Sequence, residues 1–268
     1  MGDGCDLNLD DVAARLADLH GGTSALAGVV ALGEAAIPAI ESVLRGPPSS
    51  IYQHRVLAAD ALAIIGGPLA WAALARAFAE SIERQIDPVL REAERAVIDR
   101  MAEHLARSGD ASANDLLLEG LSRTASPGCA RGLGHLRDPR AVPLLLNCLY
   151  DDVARGAAFD ALQRFGDEIV PGLVDVLLVP RRVHGVEGAS RVAGRVAAAR
   201  LLAGRPGSEA DAALWAALRD GEPDVRLASA IAMAHRRRDH PEVRRALLGG
   251  LESPDLAVSE EVVGALKQ

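Results

Sequence analysis

Three histidines, His104, His135 and His235, each stand nine residues after a recurring position held by Arg95, Ser126 and Arg226. Imidazoles in equivalent places on successive units could be aimed at one metal ion, since histidine is the commonest metal ligand. The distances argue against this. Ligands of one zinc ion each lie about 2.1 Å from it. With helical units stacked about 8–10 Å apart, His235 stands on the order of 30 Å from His135, three units away. Only His104 and His135 could approach each other, and no H-x-x-x-H, His-Glu or C-x-x-C pair supplies further ligands. No metal and no cofactor is expected. Covalent catalysis has no constellation either: there is no G-x-S-x-G, no phosphate-cradling glycine loop and no identifiable carboxylate pair.

Five residues after the same recurring position runs a mostly charged row, Asp60, Arg100, Arg131, Asp160 and Arg200, followed by Ile231. If the units stack, the row becomes a stripe. Such a stripe is either a contact surface for a partner or a ladder of salt bridges between units on a solvated face. A second candidate is the segment 181–188. Arg181, Arg182 and His184 follow Pro180 there, and Gly185 and Gly188 are expected to loosen it into a binding loop. The stretch ESIERQIDP (80–88) occupies a similar long interval. Arg236, Arg237 and Arg238 close an expected helix, where cations are favoured by the macrodipole. Trp71 and Trp215 fall on expected outer helices and are read as packing between units.

These candidates must be positioned by something repeated. Proline recurs at Pro38, Pro143 and Pro171, each before an amphipathic run. Its missing N–H costs nothing in the first turn of a helix. Before each proline phrase lies an Ala-rich helix marked by Arg55, Arg95, Arg155, Arg195 or Arg226, with Ser126 in the same place once. The intervals run from about 29 to 40 residues, one helix pair each. Phe159, Leu162 and Phe165 share one face at helical spacing. With 49% apolar residues but only 3% aromatics, the core suits closely packed helices.

The Ala-rich second helices, the Asp224-Val225-Arg226 opening and G-H-L-R-D-P-R-A-V-P-L-L-L at 134–146 resemble HEAT repeats, and the short period resembles the HEAT-like subgroup named after phycobilisome lyases. The resemblance covers roughly residues 9–268, most closely at 126–178 and 222–266 and least at 80–125. It implies an all-α, right-handed α-solenoid of about seven or eight helix pairs, a single domain over 1–268 with residues 1–8 disordered. First helices would form the convex layer and arginine-marked second helices the concave one.

Function classes follow from this. The formal net charge of −8 disfavours nucleic acid, which needs a basic face. Charge is polarised, with a local −5 over residues 1–46 and +5 over 181–206. Lys267 is the one lysine among 29 basic residues, a bias attributed to base composition. Cys5, Cys129 and Cys148 fit neither a disulfide framework nor a zinc motif and are expected to be buried thiols. No signal segment or membrane span is expected, so the chain is placed in the cytoplasm. The expectation is a non-enzymatic binding protein, an adaptor, inhibitor or assembly factor, holding another protein on its concave face or loops. Its contacts are Asp60, Arg100, Arg131, Asp160 and Arg200, or Arg181, Arg182 and His184. The resemblance also brings alternatives: a DNA-glycosylase-like enzyme, which would need a basic aromatic groove; a di-iron hydroxylase, which would need His-Glu dipeptides where this chain has only the reversed Glu103-His104; and a chromophore lyase or maturation factor.

Overall fold

Alanine and leucine at helical spacing, broken by proline and glycine every few turns, can satisfy their backbone only as short helices that share a core. The computed structural model describes residues 10–17, 22–184, 186–237, 240–251 and 256–267. The disorder expected for residues 1–8, and Cys5, lie outside them. Up to residue 138 the helices are α1 (Asp10–Ala17), α2 (Gly22–Val30), α3 (Ile37–Leu44), α4 (Gln53–Ile65), α5 (Gly67–Glu83), α6 (Arg91–Leu105), α7 (Ala111–Thr124) and α8 (Pro127–Leu136). Beyond it come α9 (Val142–Cys148), α10 (Arg155–Leu162), α11 (Val170–Leu178), α12 (Ala189–Ala203), α13 (Ser208–Ala217), α14 (Pro223–Arg237), α15 (Pro241–Gly250) and α16 (Leu256–Lys267). One antiparallel hairpin interrupts them, β1 (Arg182–Val183) with β2 (Val186–Glu187), in the register Arg182↔Glu187 and Val183↔Val186. The fold is all-α, and no single described helix is long and apolar enough to cross a membrane.

The chain divides into two units, 1–138 and 139–268. Within each, the helices form pairs stacked in two layers. In the first unit α1, α3, α5 and α7 pack side by side in one layer and α2, α4, α6 and α8 in the other. In the second, α9, α11 and α13 form one layer and α10, α12, α14 and α16 the other, with α15 against α14 and α16. The even-numbered helices carry the recurring arginines, as the repeat reading expects. The three prolines also fall where expected: Pro38, Pro143 and Pro171 sit in the opening turn of α3, α9 and α11. Between the layers lie Ala58, Leu62, Leu74, Phe78, Val97 and Met101 in the first unit, and Leu145, Ala158, Leu173, Leu177, Ala198 and Leu202 in the second, all fully buried. Each buried large apolar side chain contributes about 1.5–3 kcal/mol.

The recurring arginine has a definite task. The last carbonyls of a helix have no partner within it and carry its negative dipole end. Arg55 Nε donates to the Leu44 carbonyl at the end of α3 (2.9 Å), Arg155 Nε to Leu149 after α9 (2.8 Å), and Arg195 Nε to Leu177 in α11 (2.8 Å). Arg226 Nη1 reaches the Asp220 and Gly221 carbonyls after α13 (2.7 and 2.9 Å). In these four pairs the odd helix is thus closed by a guanidinium from its even partner. Arg55 and Arg195 are fully buried. Their free edges are met by carboxylates, Glu94 on Arg55 and both Glu187 and Asp220 on Arg195. Two even helices are closed in the same way. Arg205 donates to Leu162 and Phe165 at the end of α10 (2.8 and 3.2 Å), and Arg236 to Leu202 and Ala203 at the end of α12 (3.0 and 2.8 Å). Arg236 therefore serves a helix end of the neighbouring pair, not only its own dipole.

Ser126 replaces arginine at the start of α8 by a different device. Its Oγ accepts from the Cys129 N–H (3.1 Å) and donates to Asp99, whose Oδ1 also accepts from Gly128 N–H (2.9 Å). A Cβ on Gly128 would lie 2.4 Å from the Asp99 backbone, so only glycine lets α8 rest on α6 here. The two long intervals are also explained. One is taken up by the 17-residue α5 and a 3-10 turn at Pro88–Leu90, the other by the β1–β2 hairpin. Trp215 packs edge-on to His240 ahead of α15, with ring centroids 4.4 Å apart.

Two stability predictions follow. Arg55→Ala leaves the buried Glu94 carboxylate only the long contact with Arg84 at 3.8 Å and should cost about 3–5 kcal/mol in urea unfolding, whereas Arg219→Ala, which breaks the exposed Arg219–Glu242 pair, should cost less than about 1 kcal/mol. Gly128→Ala should cost about 1–3 kcal/mol through the forced separation of α6 and α8.

Candidate functional site

The row five residues after the recurring position lies on one layer in both units but meets two fates. In the first unit it closes on itself. Arg100 on α6 grips Asp60 on α4 with two hydrogen bonds, 2.5 and 3.1 Å, and His104 Nε2 lies 2.7 Å from the same carboxylate. Glu103 then bridges Arg100 (3.5 Å) to Arg131 on α8 (2.8 Å). The result is a salt-bridge ladder across three helices. Burial pushes the Asp60 carboxyl up, but the His104 and Arg100 hydrogen bonds and charges outweigh it and hold the group below the ordinary aspartate range. His104 faces Asp60, while His135 is exposed and the side chain of His235 lies outside the described residues. Among the described residues, no group of three histidines, cysteines or carboxylates is placed to hold a metal. Both members of the reversed Glu103-His104 pair are engaged in the ladder.

In the second unit the equivalent row opens into a groove. Asp160 on α10, Arg200 on α12 and Ile231 on α14 line a single cleft of about 1120 Å³. Asp160 and Arg200 have the same 40-residue spacing as Asp60 and Arg100. The buttresses differ: where Arg100 is followed by Glu103 and His104, Arg200 is followed by Ala203 and Gly204. Asp160 forms no ion pair among the described residues. The floor of the cleft is apolar, built from Phe159, Val192, Val196, Leu227 and Ile231 with small residues such as Gly156 and Ala193 between them. Its rim carries five carboxylates, Asp152, Asp160, Glu187, Glu222 and Asp224, against two guanidiniums, Arg155 and Arg200. Asp152 is held by Arg155 and by the Ser190 hydroxyl (2.6 and 2.7 Å), which keeps its carboxyl below the usual range.

Sequence reasoning missed much of this floor. Phe159, expected to share the buried face of Leu162 and Phe165, is only half-buried and turns to the cleft, while the other two are buried. The signal that finds the floor is the row one residue after the recurring arginine, Gly156, Val196 and Leu227. It lies one helical turn before Asp160, Arg200 and Ile231 and therefore on the same face.

The segment 181–188 is not the loosened loop expected from its glycines. Its described residues form the β1–β2 hairpin, with His184 at φ 50°, and Gly188 takes an ordinary extended conformation as the N-cap of α12; Gly185 lies outside the described residues. Glu187 anchors the hairpin by its ion pair with buried Arg195 (2.9 Å). Arg181 lies over the Tyr150 ring, 4.6 Å from its centroid, and donates to Asn147 (3.3 Å), so it is tied to the neighbouring pair. Arg182 and His184 are exposed. Cys129 and Cys148 are buried and in no disulfide among the described residues, and burial pushes the Cys148 thiol up to about 11, which keeps it protonated at neutral pH.

No family model and no curated protein matches this chain. Among solved structures, one of human deoxyhypusine hydroxylase in complex with glycerol is similar at 20% identity, with a TM-score of 0.35, over 87% of this chain and 96% of that one.

The ladder predicts an acid-side stability term. The folded Asp60 carboxylate binds its proton less tightly than the unfolded one. Its stabilisation is therefore complete above the ordinary aspartate value of about 3.9 and is lost as pH falls through the lower folded value. Asp60→Asn should cost about 1–3 kcal/mol at pH 7 and flatten the acid limb of stability against pH, measured by urea unfolding at a series of pH values.

Proposed function

We propose that this chain is a non-enzymatic protein-binding solenoid of HEAT-like repeats, and that it holds a partner protein in the groove across α10, α12 and α14. One observation supports the reading most directly: the row that forms a ladder in the first unit lines, in the second, a cleft with an apolar floor. Half-buried Phe159, Val196, Leu227 and Ile231 expose apolar surface in one place, and contiguous apolar surface with a polar rim is the mark of an interaction site. At about 1120 Å³ the cleft exceeds the 300–1000 Å³ typical of small-molecule sites and suits a segment of polypeptide. The net charge of −8 and the carboxylate-rich rim oppose a phosphate backbone. Exposed Arg182 and His184, on the hairpin beside the groove, would extend the contact, and Asp60, Arg100 and Arg131 would add a second, more weakly interacting face. A cytoplasmic setting belongs to the same proposal.

The test is affinity capture with the tagged full chain, run alongside Ile231→Asp, with helicity of both checked by circular dichroism. One stoichiometric protein bound by the parent chain and lost from the variant supports the reading. Tight binding of duplex DNA at about 150 mM salt, with no protein recovered, would falsify it.

A further inference from the structure

Building on the protein-binding reading, we infer that the groove's occupant is a cationic, apolar-faced segment of another protein, with one lysine or arginine head seated at Glu187. The first ground is charge. Three rim acids, Asp160, Glu222 and Asp224, have no ion-pair partner among the described residues, while Asp152 is neutralised by Arg155. The open rim therefore presents uncompensated negative charge around an apolar floor, and desolvating those carboxylates against a neutral or acidic partner would cost binding energy rather than supply it.

The second ground is a single atom. The Glu187 side chain is 2% exposed and lines the groove where α12 begins. Its Oε2 accepts from Arg195 at 2.9 Å, but its Oε1 is buried with no donor among the described residues. A buried carboxylate oxygen left without a donor is costly, and an incoming ammonium or guanidinium satisfies it with a charge-assisted hydrogen bond. Arg195 is not available for that task, because its other edge is taken by Asp220 and its Nε by the Leu177 carbonyl. Apolar floor, acidic rim and unmet buried acceptor line the one groove across α10, α12 and α14. Three helices about 8–10 Å apart span on the order of 20 Å, the length of about 14 residues of helix.

The experiment uses two labelled peptides of about 14 residues with leucines at i, i+3, i+4 and i+7. One carries arginine and lysine at the remaining positions and the other glutamate. Each is titrated into the full chain by fluorescence anisotropy at about 50 and 200 mM salt. The cationic peptide is expected to bind at least about tenfold more tightly, with the gap narrowing at higher salt. Asp160→Asn combined with Asp224→Asn, both exposed positions, should cut the preference several-fold. Glu187→Gln should weaken the cationic peptide alone, with the fold retained because Asp220 still pairs Arg195. Equal binding of both peptides, binding of neither, or a preference unchanged in these variants overturns the inference. Failure of the protein-binding reading is separate, since it appears in the capture experiment as DNA in place of a protein.

Discussion

A guanidinium on the end of a helix is the interaction on which this structure rests. Short helices leave a large share of their carbonyls unpaired, and several of the helix ends here, at Leu44, Leu162, Leu177 and Leu202, are buried, so water cannot serve every one. Arginine solves this geometrically. Its planar fork can donate to a carbonyl with one edge and to a carboxylate with another, as Arg55 does with Leu44 and Glu94 and Arg195 does with Leu177 and Asp220. Lysine, a point charge with a strongly held hydration shell, would not span both partners. The preponderance of arginine, which composition alone leaves to genomic bias, thus has structural use at Arg55, Arg155, Arg195, Arg205, Arg226 and Arg236.

Those caps hold the even helices in register, and register lets one sequence row behave differently in two places. Asp60 and Arg100 close because His104 supports the acid and Glu103 supports the base, making each hydrogen bond part of a network. After Arg200, Ala203 and Gly204 stand where Glu103 and His104 follow Arg100, and the helix face of Asp160 and Arg200 continues into Leu227 and Ile231. A row of similar spacing is therefore a brace in one unit and the wall of a groove in the other.

The hairpin shows the same economy. Its residues are basic and its spacing is that of an insertion, yet Glu187 ties it to a buried arginine that is itself closing α11. The tie fixes the mouth of the groove to fully buried Arg195 and leaves one carboxylate oxygen without a donor among the described residues, beside the apolar floor.

The sequence alone determined the helix pairs, their starts at Pro38, Pro143 and Pro171, and the register of the arginine-marked layer, because proline geometry and helical periodicity are local and every repeat restates them. It also placed Asp160, Arg200 and Ile231 in one row. It did not distinguish the half of that row that forms a ladder from the half that lines a cleft, nor turn Phe159 toward the cleft, nor show that Gly188 ends a tied hairpin. Those outcomes depend on which side chains from helices some 40 residues apart come within about 3 Å. Only the stacked tertiary structure sets that distance, because the reach of a charged side chain across two helices depends on how closely their small residues allow them to pack.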